Sequence, residues 1–498
     1  MGFLSTGRQR ASAALSLIVV AGTAARIWAA FHARSMHPDA YFQYIEPALW
    51  HLTGNGIETW EWHVGLRSWV LPFYNGAWLA GLHALGLPYG PEAMRLLKLH
   101  WALLQVGLIF VAYRGGASIA RRLLRAPAEP GGDAAPAGYQ GGLLAAALCA
   151  GFGQLVLYAG QTLSEPPSML LLTAGLVLTA EITEPGAHID TSRAARTAAL
   201  AGFLLSLGAC MRIANAPLAL VPVAWLALRG MGRPMLAMML SSLGPALVFC
   251  LVDWATWGTF AGSYIEYVKF NLIEGRAAQF GTSPPDWYIT HFRELAPIGF
   301  PLLMLLPLLG LRGNLAFLLS AYGMLAYFSA QPHKEARFLL GLWTLLLIAT
   351  GGTLGAWLAR TSAHWRRTGK SLLRTTLHAL ALALVATLLV DASRSPDLDC
   401  WYDEHRLDAL AWTSHRRDAV GVMVDDLLLS SGAALWGKPG PLVSFHSELL
   451  GSPLVSHVIA RKGSDQLLAA QFAGYREVFR TEGGFVVLSN TATPAVTR

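Results

Sequence analysis

The sequence predicts an all-α polytopic membrane protein of about eleven transmembrane helices, followed by a small soluble α/β domain. Three observations predict it. Hydrophobic residues fill 54% of the 498 positions and charged residues only 13%, and the mean hydropathy is +0.43; soluble proteins carry roughly 25% charged residues. Apolar runs near span length recur from residue 11 to residue 393. Beyond 395 the composition changes, with a charge-rich start (Asp397, Asp399, Asp403, Glu404, His405, Arg406) and short apolar runs at 420–429 and 484–488 between Gly, Pro and Ser turns, as in a small α/β unit. Disordered, fibrous and ordinary cytosolic classes are excluded. Lys+Arg 37 against Asp+Glu 30 gives +7, with a pI near 9.3. In a membrane chain this is the expected excess of cytoplasmic Lys and Arg, and no nucleic-acid partner is implied. Cys149, Cys210, Cys250 and Cys400 have neither metal-ligand spacing nor a disulfide framework.

The run 11–31 follows Arg8 and Arg10, has no clean small-residue cleavage site after it, and is long enough to cross. It predicts a first helix with its N-terminus inside. Further runs lie at 69–87, 95–113, 141–159, 166–182, 197–211, 214–229, 234–254, 297–311, 314–330, 338–359 and 374–393. Basic clusters assign the sides. Arg114, Arg121, Arg122 and Arg125 form one, Arg193 and Arg196 a second, Arg229 and Arg233 a third, and Arg360, Arg366, Arg367, Lys370 and Arg374 the strongest. All are cytoplasmic under the positive-inside rule. The count closes if 69–87, which holds Pro72, Asn75 and His83, lies in the interface or re-enters; the alternative keeps it as a span and drops a short run. Loops 32–68, 255–296 and 331–337 and the tail 395–498 then share the extracytoplasmic face, with 1–394 as the transmembrane catalytic domain. The Gly/Pro/Ala stretch 126–138 reads as a flexible cytoplasmic loop.

Two segments carry candidate chemistry. The first loop interleaves acids and aromatics: Asp39, Glu46, Trp60, Glu61 and Trp62. A carboxylate at a membrane interface is costly to desolvate without a partner or a task. Asp39 and Glu46, seven apart, share a face if the segment is helical. A positioned carboxylate takes the proton of an attacking sugar hydroxyl, and the two tryptophans offer stacking surfaces; the bland reading is an interfacial aromatic belt. The second segment is His333-Lys334-Glu335-Ala336-Arg337. Its cations lie on the side that the positive-inside rule depletes. Lys334 and Arg337 would meet on a helical first turn, where free N–H groups also suit a phosphate; the bland reading is snorkelling cations. Arg212, between two apolar runs, is a functional residue or half of a buried ion pair. No phosphate-binding Gly-rich loop, His-Glu-x-x-His or zinc-type cysteine spacing occurs. An activated lipid-linked substrate fits these absences.

The order His37-Pro38-Asp39, Phe42-Gln43, Glu46, Gly54-Asn55-Gly56, Thr59-Trp60-Glu61-Trp62, Arg67-Ser68 resembles the first lumenal loop of glycosyltransferase family 22, the mannosyltransferases of asparagine-linked glycosylation and GPI-anchor assembly. His333-Lys334-Glu335-Ala336-Arg337-Phe338 resembles a second family hallmark. The stretch from Asn271 through Glu274-Gly275 and Phe280-Gly281 to Trp287-Tyr288 resembles a third. The resemblance covers residues 1 to about 395. It implies a GT-C fold and inverting transfer of a sugar, usually mannose, from a polyprenyl-phosphate donor to a glycan or glycolipid acceptor. Asp39 matches the family's catalytic base. Two departures stand out: Ala40 where members carry a second acid, and Gln161-Thr162-Leu163-Ser164-Glu165 where members resemble Arg-Thr-x-Ser-Asn.

The expectation is therefore an integral-membrane inverting glycosyltransferase working at the extracytoplasmic face. Asp39 is the base. His333, Lys334 and Arg337 hold the lipid phosphate, and Glu46, Trp60, Glu61 and Trp62 shape the acceptor side. His37, Gln43, Arg67, Arg212, Asn271 and Glu335 complete the substrate-binding set. No cofactor is implied and no metal is required, because fixed cations take over charge stabilisation. Rival readings are a different donor sugar such as a pentose, a lipid-linked sugar flippase, and a scaffold whose tail binds a partner. The Ala/Leu/Arg-rich style leans towards a bacterial plasma membrane over an endoplasmic-reticulum membrane.

Overall fold

The computed structural model describes residues 2–32, 37–125, 134–184, 190–367, 371–393, 404–427 and 432–490. The charged start of the tail at 394–403, with Cys400, and residues 126–133 of the expected cytoplasmic loop lie outside the described residues. The rest of that loop, from Ala134, already belongs to the helix Ala134–Gly151. The chain divides into two compact units, one of Met1–Ile27, Ala102–Ala159 and Ser164–Leu398, the other of Trp28–Trp101, Gly160–Leu163 and Asp399–Arg498. The tail is thus grouped with the first loop.

Among the described residues, 6 helices are long and apolar enough to cross a membrane, or up to 7 if the bent pair Gly138–Gly151 and Gly153–Gly160 is one span. One pair of apolar runs, 297–311 with 314–330, merges into one long stretch, Gly299–Ala330, and the single run 95–113 lies within Pro91–Leu124. Ile213–Leu228 and Thr375–Asp391 are shorter apolar helices. The merger and the short helices keep eleven separate spans from appearing on length and composition among the described residues. Val70–Ala84, in the doubtful run, has 15 residues; at 1.5 Å per residue it extends about 22 Å, short of a hydrocarbon core of about 30 Å.

In the first unit the helix Leu340–Arg367 is almost wholly buried, whereas Gly232–Trp257 exposes most of its apolar surface. Leu236, Leu240, Leu243 and Leu247 lie exposed along it, the pattern of a lipid-facing helix. Small residues let the inner helices touch backbone to backbone. A Cβ on Gly355 would lie 2.2 Å from Gly141 N, and one on Gly116 2.4 Å from Gly141 O. Such close approach substitutes for a hydrophobic driving force inside a bilayer.

Four of the arginines expected on the cytoplasmic side gather at one end of this unit. Arg114 donates to Glu181 (2.8 Å), Arg121 to Glu184 (2.9 Å) and Arg122 to Thr183 (2.8 Å). Arg360 donates to the Leu123 carbonyl. Glu181, Thr183 and Glu184 close the helix Glu165–Ile182, and Arg360 lies in the last third of Leu340–Arg367. Glu165 and Arg337 lie at the opposite ends of the same two helices, about 27 and 35 Å away by helical rise.

The second unit joins the first-loop helices to a five-stranded sheet of order β2-β1-β3-β5-β4. The strands are β1 Val422–Val424, β2 Leu442–Ser444, β3 His457–Arg461, β4 Arg476–Arg480 and β5 Phe485–Ser489. β1 pairs parallel with β2 and β3, and β5 pairs antiparallel with β3 and β4. The parallel strands are linked through the helix Gly432–Trp436, as parallel pairing requires a crossover. Met423, Val458, Val486 and Leu488 fill one core with Leu467 and Ala470 of the helix Asp465–Phe472. This is the expected small α/β unit.

Candidate functional site

The first candidate constellation lies wholly in the first unit, where three chain breaks deliver charged side chains. Glu165 opens a helix whose next residues, Pro166 and Pro167, have no N–H to donate and suit a first turn. Arg212 has extended backbone (φ −142°, ψ 96°) between the helix Thr191–Met211 and the 3-10 turn Ile213–Ala219. Glu335 is extended (φ −137°, ψ 145°) just before the 3-10 turn Ala336–Leu339. At breaks of this kind side chains can converge instead of radiating around a helix.

They converge on Glu165. Its Oε1 is 3.0 Å from Arg212 Nη1 and 3.1 Å from Arg337 Nη1. Arg337 also grips Glu335 with its fork, Nε to Oε2 at 2.6 Å and Nη2 to Oε1 at 2.9 Å. Both guanidiniums lie over the Phe338 ring, at 4.7 and 5.4 Å from its centroid. His333 places Nε2 3.1 Å from Glu335 Oε1 and Nδ1 3.3 Å from the Gly281 carbonyl. Two acceptors on one ring favour the imidazolium, and the Glu335 hydrogen bond holds the His333 pKa above its ordinary value. The Arg212 Nε is buried without a hydrogen-bond partner, a cost of about 1–3 kcal/mol that a ligand oxygen would relieve.

The expected pairing of Lys334 with Arg337 is corrected here. Residues 331–335 are not helical, so the two side chains do not share a first turn. The Lys334 amine donates to the carbonyls of Ser283 (3.1 Å) and Gln331, and burial lowers its pKa. It holds the 281–286 segment in place. Asn271 donates to Tyr267 O, one turn back (2.9 Å), a tie within its own helix.

A small void of about 20 Å³, room for about one water, lies in the first unit. Its lining includes Met169, Leu172, Asn215, Leu218, Gly341 and Leu345. Met169 follows Glu165 by four residues, Asn215 follows Arg212 by three, and Gly341 follows Arg337 by four. The void thus lies three or four residues along the chain from each of the three converging side chains.

The second constellation lies in the second unit. His37 caps the short helix Pro38–Ala40, its Nδ1 accepting from Asp39 N at 3.1 Å. His37 N donates to Gln161 Oε1 (2.9 Å) and Thr162 Oγ1 to Ala40 O (3.0 Å). The departure at Gln161 is thus a brace for the Asp39 turn. Asp39 itself is half-buried. Arg67 feels its charge: burial would lower the Arg67 pKa, but Glu61, Tyr44 and Asp39 together raise it. Glu61 Oε1 accepts from Arg67 Nη2 (2.6 Å) and from Gln43 Nε2 (3.3 Å).

Glu46 and Trp62 depart from the expected roles. Tyr41–Ile45 is a π-helical turn, whose wider i→i+5 closure rotates Glu46 out of phase with Asp39. Glu46 is fully buried. Its carboxylate accepts from the amides of Ile57 (2.9 Å) and Ala434 (3.0 Å), and burial pushes its pKa up to about 8. It staples the first loop to the tail and cannot line an acceptor surface. Trp62 is 1% exposed, donates to Phe42 O (3.2 Å) and packs 4.7 Å from Trp69; it is core. Trp60 remains 39% exposed.

The sequence reading missed the part Glu165 plays. An acid at the mouth of an apolar run, just ahead of two prolines, was the available signal.

The model of the Alg9-like mannosyltransferase family matches residues 17–403. The chain is 29% identical over 318 residues to "GPI mannosyltransferase 3" of Yarrowia lipolytica, covering 63% of this chain and 57% of that protein. To the protein of the same name from Eremothecium gossypii it is 26% identical over 408 residues, covering 67% and 66%. The match thus spans less than two thirds of the length of these relatives, and they lend no support to a bacterial plasma membrane. Among solved structures, ArnT from Cupriavidus metallidurans bound to undecaprenyl phosphate aligns with a TM-score of 0.58 at 12% identity, over 97% of this chain and 99% of that one. AglB from Archaeoglobus fulgidus, in complex with an inhibitory peptide and a dolichol-phosphate, aligns at 0.52 and 13%, over 97% and 74%. At these identities the likeness is one of fold, the expected GT-C architecture.

Proposed function

Because the chain belongs to the Alg9-like mannosyltransferase family, and is on that ground a membrane-embedded glycosyltransferase, we propose that it moves mannose from a polyprenyl phosphate to a hydroxyl of a glycan or glycolipid. The observation that carries this reading is the convergence of Arg212, Arg337 and His333 on one buried charged group, a set of cations suited to a lipid-linked phosphate. ArnT, of the same fold, is bound to undecaprenyl phosphate, a ligand of that class.

In this mechanism Asp39 takes the proton of the acceptor hydroxyl as its oxygen attacks the anomeric carbon. The bond from that carbon to the phosphate oxygen breaks, and its electron pair leaves with the polyprenyl phosphate. Attack opposite the leaving group inverts the centre. Arg212, Arg337 and the His333 imidazolium meet the growing charge on the leaving phosphate. These fixed cations supply the stabilisation a divalent metal would otherwise give. Glu61, itself held by Gln43, holds Arg67, which feels the charge of Asp39, and exposed Trp60 offers a ring to the acceptor. The basic end of the first unit, with Arg114, Arg121, Arg122 and Arg360, supports an extracytoplasmic active site. If that end is cytoplasmic, Glu165 and Arg337 open on the other side.

The test separates chemistry from binding. Asp39→Asn lowers mannosyl transfer from a polyprenyl-phosphate mannose by about 10²–10⁴ while the protein still binds polyprenyl phosphate. Arg337→Met loses that binding. Undiminished transfer by the Asp39 variant removes the base, and unaltered binding by the Arg337 variant removes the phosphate site.

A further inference from the structure

We propose that Glu165 is a resident counter-anion, a positioning residue that aims Arg212 and Arg337 at one point and keeps the phosphate product from binding too tightly. This rests on the phosphate site proposed above and adds how that site releases its product.

The geometry is specific. One carboxylate oxygen of Glu165 lies at ion-pair distance from Nη1 of two guanidiniums, 3.0 and 3.1 Å, with neither N–H in hydrogen-bond geometry to it. Its side chain is 3% exposed, and those of Arg212 and Arg337 are 11% and 5%, so solvent screens the three only weakly. The other Glu165 oxygen accepts from Ser164 Oγ at 3.2 Å. Two like charges that must point to one place repel unless an anion lies between them, and Glu165 is that anion. A phosphate oxygen placed there would stand between the same two guanidiniums.

The charge balance then has a functional side. Arg212 and Arg337 carry two positive charges, and Glu165 and Glu335 cancel them. His333, held as the cation, leaves a small net positive charge for the ligand. The donor arrives as a phosphodiester with one negative charge. The product leaves as a phosphomonoester that tends towards two. A site of two uncompensated guanidiniums would hold the more highly charged product harder than the donor. The fixed charge on Glu165 opposes the product more than the donor and so favours turnover.

Glu165→Gln keeps the shape and an acceptor oxygen and removes the charge. The measurement is the affinity for undecaprenyl phosphate, read directly by calorimetry on the detergent-solubilised full chain, together with kcat, donor KM and product inhibition. The expected result is product bound at least about ten-fold tighter, with kcat and donor KM both reduced and Glu165→Asp returning affinity towards wild type. Unchanged or weaker product binding in Glu165→Gln, with wild type binding normally, overturns the inference, since a merely structural carboxylate would lower the yield of folded protein or loosen the arginines. Failure of wild type itself to bind undecaprenyl phosphate overturns the phosphate site instead, and with it this inference.

Discussion

Glu46 and Glu165 are both buried glutamates, yet their surroundings are opposite. Glu46, in the second unit, is met by backbone amides of Ile57 and Ala434 and by no cation among its principal partners. Glu165, in the first unit, is met by two guanidiniums. Amides satisfy hydrogen bonds without neutralising charge, so Glu46 bears the full desolvation penalty and its pKa climbs to about 8. Glu165 is neutralised twice over. Sequence position announces neither difference, because both are single acids close to an apolar run.

The comparison is sharpest where the two should fail differently. The largest stability effect belongs to Glu46→Ala, which strands two buried amides and opens a hole, costing about 2–4 kcal/mol. Thermal unfolding of the purified protein reads that loss. Glu46→Ala enzyme as stable as wild type would break the contrast between a staple and a functional charge.

The pH dependence of stability comes next. The Glu46 pKa is about 8 folded and about 4.3 unfolded. Between these values the folded chain holds the proton and the unfolded chain has lost it, so the contribution of this group is full below about 4.3, falls as pH rises from there to about 8, and is lost above. Glu46→Gln removes this fall. Identical slopes of melting temperature against pH for the two proteins would place the carboxylate's titration elsewhere.

The smallest effect concerns His333. Its pKa is raised chiefly by Glu335, so its charge persists above the ordinary histidine range and is lost as pH climbs through the raised value. Donor KM accordingly rises a few-fold on the alkaline side, and His333→Gln gives a weaker donor with a flat profile there. A wild-type KM without alkaline dependence would take His333 out of the phosphate-binding group.

Much of the architecture was legible. Low charge, recurrent apolar runs and a change of composition near 395 carried the membrane helices and the α/β tail. The motif order singled out the turn at Asp39 and the segment around Arg337 as places to look. The helix count was not legible, because merged and short helices look alike in a hydropathy pattern. Side-chain roles were lost where backbone irregularity intervened. A π turn at Tyr41–Ile45 turned Glu46 inward, and extended residues before Ala336 separated Lys334 from Arg337. Neither irregularity has a strong composition cue. The convergence of Glu165, Arg212 and Arg337 links positions far apart in sequence, which no local pattern encodes.

Gly432 sits in the left-handed region at φ +56°, and a methyl group there would come within 2.5 Å of Glu46 Oε1. A side chain at that position is therefore refused twice, by backbone conformation and by the acid it would strike. It follows that loop and tail are matched parts. A chimera that takes its C-terminal hundred residues from a cousin must bring along a compatible residue at 46, or the graft will not seat.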